Sequence, residues 1–161
     1  MFFGIMNGVS ISASRLNRTW RVGDPWSIAE ASELYEIARW GAGYFSIGET
    51  GSVHVHPTKE PDRFIDLKDL TENLVLRGID VPVLIRFSDI LRHRLKDIYD
   101  AFQTAIAQNG YQGRYVCVYP IKVNQQRRVV EEILKYGRPF GFGLEAGSKP
   151  ELIAVAAMAS N

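Results

Sequence analysis

The chain has 161 residues, of which 46% are apolar and 23% charged. That is ordinary globular composition, which argues against a largely disordered chain and permits a domain with a real core. A net charge of +1, from 19 basic and 18 acidic residues, gives no electrostatic reason to expect nucleic acid or an anionic membrane as partner, and the single cysteine, Cys117, rules out an internal disulfide framework or a cysteine-cluster metal site.

No apolar run approaches the roughly 18 residues of a membrane span. The first nine residues, Met1 to Val9, are apolar but lack a basic flank and are interrupted by Gly4, Asn7 and Gly8. Residues 1–23 therefore read as a poorly ordered leader, with an atypical signal sequence as the alternative, and the expected location is cytosolic.

Residues 24–81 read as a small N-terminal β/α region. Ser27 and Glu30 have capping-box spacing and open a helix. Its apolar face is Ile28, Ala31, Leu34, Tyr35 and Ala38, and Gly41 and Gly43 end it. Tyr44 to Ile47 and Ser52 to His56 flank the turn Gly48-Glu49-Thr50-Gly51, which predicts a hairpin. Val53 and Val55 then face one way, and His54 and His56 the other. Two histidines on one face can bind metal, but no third ligand is evident, so a solvated face is expected. Asp66 caps a helix over 67–77, stopped by Gly78.

From Pro82 onward strands and helices alternate. PVLIRF (82–87) predicts a strand, and Ser88 opens a helix to about Gln108 with the stripe Leu91, Leu95, Ile98, Phe102 and Ala105. Residues 114–119 predict a second strand. A helix over 126–136 follows, burying Val129, Val130, Ile133 and Leu134, with Gly137 as its stop. Residues 141–144 form a short third strand, and Ser148 with Glu151 caps a final helix from Lys149. This β-α-β-α-β-α order predicts an α/β fold with a parallel sheet.

The chemistry centres on Tyr119-Pro120-Ile121-Lys122-Val123-Asn124. Lys122 stands just past the carboxyl end of a predicted strand, the edge where α/β folds place their sites. Partial desolvation there would favour the neutral, nucleophilic amine, whereas a strand-end lysine reaching solvent is the plain alternative. Asn124 suits the following turn. Cys117, mid-strand, reads as a small buried hydrophobe, and Arg127-Arg128 as a solvated helix face.

The stretch CVYPIKVNQQRRVVEEI (117–133) resembles the pyridoxal-phosphate lysine segment of biosynthetic arginine decarboxylases of the alanine-racemase-like barrel class. FGFGLEAGSKPELIAV (140–155) is similar to that family's second strand and following turn, and WSIAEASELYEIARWGAGYFSIGETGSVHVHP (26–57) to its N-terminal region. The resemblance implies that Lys122 holds pyridoxal phosphate as a Schiff base and that Glu145 lies beside it and positions its ammonium. It also implies that Asn124 supports the cofactor turn and that L-arginine is converted to agmatine and carbon dioxide for polyamine synthesis. A partly exposed strand-end carboxylate is the other reading of Glu145.

The implied fold is the start of a (β/α)8 barrel, with residues 82–161 supplying its first βα units. Such a barrel needs about 250 residues, so it would be incomplete here. The family's glycine-rich phosphate site, the acidic partner of the pyridine nitrogen, the stacking group on the ring and the C-terminal β-domain have no matching segment. An N-terminal fragment is therefore expected, which alone should fold poorly or aggregate and be inactive. The resemblance further implies a homo-oligomer, and magnesium dependence in some members. A decarboxylase of another basic amino acid (ornithine, diaminopimelate), a non-catalytic pyridoxal-phosphate-binding module and a plain α/β structural domain are the alternatives.

Overall fold

The computed structural model describes residues 26–159, so the expected leader (1–23) lies outside the described residues. Two secondary-structure groups follow one another: a three-stranded antiparallel sheet with short helices, then a parallel strand pair with three longer helices.

Ser27 caps α1 (Ile28–Leu34), accepting from the Glu30 amide, while its own hydroxyl donates to the Glu30 carboxylate. The helix expected to continue to Gly41 breaks instead. Glu36 adopts a left-handed conformation (φ 49°), and α2 (Ile37–Gly41) starts afresh behind it. The break rotates the apolar face: Ala31 and Ile37 are buried, whereas Leu34 and Tyr35, assigned inward from a continuous 3.6-residue period, are exposed. The Trp40 indole spans the break, donating to the Tyr35 carbonyl at 2.8 Å.

The expected hairpin is present as β1 (Phe45–Ile47) and β2 (Val53–Val55), paired antiparallel with Phe45 opposite Val55. A third strand, β3 (Ile65–Asp66), pairs with β2, and its two residues give no periodic signal in the sequence. Asp66 ends that strand and caps α3 (Leu67–Leu76), accepting from the Lys68 and Asp69 amides. Val55 is fully buried between these layers.

PVLIRF forms no strand and joins no sheet among the described residues. Val83, Ile85 and Phe87 are half-buried while Leu84 and Arg86 are exposed, so the alternation of a strand survives without a hydrogen-bonded neighbour. Helix α4 (Ser88–Gln108) follows, with Phe87 rather than Ser88 at the cap position. The Ser88 hydroxyl instead donates to Glu132 at 2.5 Å, tying α4 to α5 (Arg127–Gly137). Leu95 is buried, but Phe102 and Ala105 are exposed, so only the first part of the expected stripe is covered.

Strand β4 (Val118–Pro120) pairs parallel with β5 (Gly143–Glu145): Val118 faces Gly143, Tyr119 faces Leu144 and Pro120 faces Glu145. The expected strand over 114–119 is thus confined to its last part, where a partner exists. Val130 and Ile133 are buried on α5 as expected, while Val129 and Leu134 are half-buried. The helix ends at Gly137, as expected. This last residue is held against Phe142, and a 3-10 turn (Arg138–Phe140) leads to Gly141, whose φ of 73° makes the reversal. Helix α6 (Lys149–Ala159) begins directly after Ser148. The Glu151 amide donates to the Ser148 hydroxyl at 3.4 Å, and the Glu151 carboxylate accepts from the Gly147 amide at 2.7 Å. Among the described residues no helix is long and apolar enough to cross a membrane.

Candidate functional site

The candidate site is the carboxyl edge of the parallel pair. A three-residue 3-10 turn, Ile121–Val123, leaves β4 directly after Pro120 and carries Lys122 at its centre. Ile121 points into the core and anchors the turn, whereas Lys122 is exposed. The partial desolvation expected at this position is absent among the described residues, because the strand pair is only two strands wide and no third element covers its edge.

Glu145 is the last residue of β5, half-buried and in register with Pro120. Both candidate groups therefore leave the sheet at the same edge, Lys122 two residues beyond the strand position opposite Glu145. Gly147 lies between two carboxylates: a Cβ there would stand in ordinary contact, 3.6 Å from Glu145 Oε1 and 3.6 Å from Glu151 Oε2.

Asn124 closes the turn. Its Oδ1 accepts from the Gln126 amide at 3.0 Å, an Asx turn that hands the chain to α5. Its carbonyl accepts from the Tyr119 hydroxyl at 3.2 Å. Tyr119 was absent from the site drawn from sequence. A tyrosine in a strand reads as packing, and only the fold brings its hydroxyl across to Asn124. Arg127 pairs with Glu131 (2.7 Å) on the solvated face of α5, as expected. Cys117 is half-exposed rather than buried, since it precedes the paired part of β4; its carbonyl accepts from the Gly143 amide at 2.9 Å. A cleft of about 540 Å³ opens between the turn, α5 and α6, with Ile121, Val130 and Met158 on its apolar side and Gln125, Ser148 and Glu151 on its polar side.

The two histidines of the hairpin do not lie on a solvated face. His54 stacks on Phe64 (centroids 4.1 Å apart, 8° between planes) and pairs with Asp66 at 3.3 Å. His56 is buried: its Nδ1 lies 3.1 Å from the Glu60 carbonyl and its Nε2 2.7 Å from the Ser46 hydroxyl. A carbonyl only accepts, so Nδ1 carries a proton, and in the neutral ring Nε2 accepts from Ser46. The segment after Pro57, which brings Phe64 and β3 over this face, was invisible to strand periodicity. The Ser52 hydroxyl, 2.5 Å from Asp66, holds that carboxyl below the usual carboxylate range, helped by the Asp69 and Lys68 amides and by His54. Among the described residues no three His, Cys, Asp or Glu side chains converge as a metal's donor set.

Lys122 and Glu145 fit one part of a pyridoxal-phosphate site. A primary amine is exposed just past the end of β4, and a half-buried carboxylate ends the strand beside it. Contacts to the ring and phosphate have no counterpart in this donor set.

No family model matches the chain. Curated relatives do. The chain is 53% identical over 133 residues to the biosynthetic arginine decarboxylase of Rhodopirellula baltica, covering 83% of this chain and 20% of that protein. It is 51% identical over 128 residues to that of Gloeobacter violaceus, covering 80% and 20%. The crystal structure of the biosynthetic arginine decarboxylase from Campylobacter jejuni superposes with a TM-score of 0.69 at 34% identity, over 77% of this chain and 20% of that one. The expected resemblance therefore holds along most of the chain, which spans about a fifth of the length of the relatives it matches.

Proposed function

We propose that this chain, similar over about four-fifths of its length to biosynthetic arginine decarboxylases, is the part of such an enzyme that carries its cofactor lysine. The observation that supports the reading is the β4–β5 register, which puts Glu145 opposite Pro120, two residues before Lys122, at one carboxyl edge. The full-length protein would convert L-arginine to agmatine and carbon dioxide, feeding polyamine synthesis.

When bound, pyridoxal phosphate supplies the electron sink for the charge left behind as carbon dioxide departs. The contributions of this chain are simpler. Lys122 Nζ would be the amine that holds the cofactor and, when not engaged with it, the group that could carry a proton. Glu145, at the same carboxyl edge, would help orient the Lys122 amine. Asn124 fixes the turn from which Lys122 projects. The start of a (β/α)8 barrel is the fold this reading entails, with the parallel β4–α5–β5 unit as one of its repeats and the 82–87 segment as the strand before it.

The test is borohydride reduction of the full-length protein with pyridoxal phosphate, followed by peptide mapping. Label at Lys122, with carbon dioxide released from arginine in preference to ornithine or diaminopimelate, is the expected result. Label on another lysine removes the site assignment. Label at Lys122 without release from any of the three amino acids would make this a binding module instead.

A further inference from the structure

The connection from β4 to α5 is tied around Lys122 rather than through it. Ile121 is buried on one side of the lysine. On the other side Val123 is 70% exposed, so no packing holds the turn from outside. A single 3-10 turn has poor internal hydrogen-bond geometry and cannot hold itself firmly. What spans it is the Tyr119 phenol, which starts from the strand before the turn and donates to the Asn124 carbonyl after it, at 3.2 Å. Asn124 Oδ1 then fastens the far end to the Gln126 amide.

We propose that Tyr119 is a positioning residue for Lys122: its hydroxyl clamps the turn across the lysine and sets where the amine emerges at the strand edge. The inference rests on the reading of Lys122 as the cofactor lysine. The hydroxyl matters here and the ring does not, because phenylalanine would serve a strand position opposite Leu144 equally well for packing. Without the phenol, Asn124 is tied only forward into α5, and the segment bearing Lys122 is free to swing about Ile121.

The test uses the full-length protein at saturating pyridoxal phosphate. Borohydride is added at fixed times, and the modified Lys122 peptide is quantified. Tyr119→Phe should slow trapping about 2- to 10-fold, the factor set by one net hydrogen bond. Tyr115→Phe, which removes a phenol from the same segment away from the turn, should leave it unchanged. If Tyr119→Phe does not fold, Asn124→Ala removes the other tie and should slow trapping similarly. Equal trapping in Tyr119→Phe and the parent overturns the proposal, as does an equal slowing in Tyr115→Phe. Absence of label at Lys122 in the parent, seen before any substitution is made, overturns the cofactor reading beneath it.

Discussion

The Tyr44 hydroxyl lies 2.8 Å from His93 Nδ1, and this contact joins the N-terminal sheet region to helix α4 across 49 residues of sequence. Tyr44 is buried, its ring meets the His93 ring edge-on, and Lys59 sits over its face at 4.7 Å. Asp97 gathers the surrounding charge, with Lys59, Arg94 and His93 all within 3.5 Å. Arg63 and Asp89, 3.0 Å apart, add a second tie between the same regions.

Burial, and next the Asp97 carboxylate, push the Tyr44 phenol above the usual tyrosine range. A folded-state value raised above the unfolded one contributes stability that is complete below the ordinary tyrosine value and is lost as pH rises through the folded value. Tyr44→Phe should cost about 1 kcal/mol at neutral pH by removing one hydrogen bond, and should also flatten the alkaline loss. Hydrogen exchange of the β2 and α4 peptides at neutral and alkaline pH measures both effects.

The Ser52–Asp66 contact makes an acid-side prediction. Because the Asp66 value is lowered, its contribution is present above the ordinary carboxylate range and fades as pH falls through the folded value. Ser52→Ala should move the Asp66 titration up toward an ordinary aspartate, and acid-induced opening of the α3 start should then begin at higher pH. Carboxyl-carbon NMR titration reads the shift. No change in the Asp66 midpoint would mean that the backbone amides of its cap hold the carboxylate unaided.

Gly137 is required by Phe142. A Cβ at 137 would stand 2.6 Å from Phe142 Cβ, a distance that forces the 3-10 turn outward. Gly137→Ala should destabilise by about 1–3 kcal/mol through overpacking, despite the better helix propensity of alanine. In a Phe142→Gly background the same alanine should add no further loss. Chemical denaturation of the four corners of this cycle checks the coupling.

The 161-residue chain by itself should self-associate. Leu76 (84% exposed), Leu84 (77%) and Ile153 (71%) lie open, and among the described residues both outer edges of the β4–β5 pair are unpaired. Light scattering after size exclusion should report species above monomer mass, reduced by Leu84→Lys. A monodisperse monomer with a cooperative melt would contradict this.

Much of the fold was legible in local signals. Asp66 and Ser148 were readable as helix caps, the Gly48–Gly51 turn as a hairpin, and the start of the α4 stripe as a buried face, because caps, turns and helical periods are written within a few residues. The break at Glu36 was not legible, since a left-handed glutamate carries no compositional mark. Nor was β3, which is too short for an alternating pattern and exists only because β2 offers it an edge. PVLIRF shows the converse: its alternation is real, but strand hydrogen bonds need a neighbour, and none of the described residues supplies one.

For the site, the sequence alone determined which groups can do chemistry and roughly where. A lysine after an apolar β run and a turn-forming asparagine after it follow from residue type and position, whereas the carboxylate Glu145 entered only through the family resemblance. The tertiary structure alone decided which of them share an edge, through the register that sets Pro120 against Glu145, and which hidden partner holds the turn, through the Tyr119 hydroxyl. It also turned His54 and His56 from a solvated face into a packed one. The physical reason is common to all three: pairing register and side-chain closure depend on segments far apart in the chain, and their free energy exists only once those segments meet.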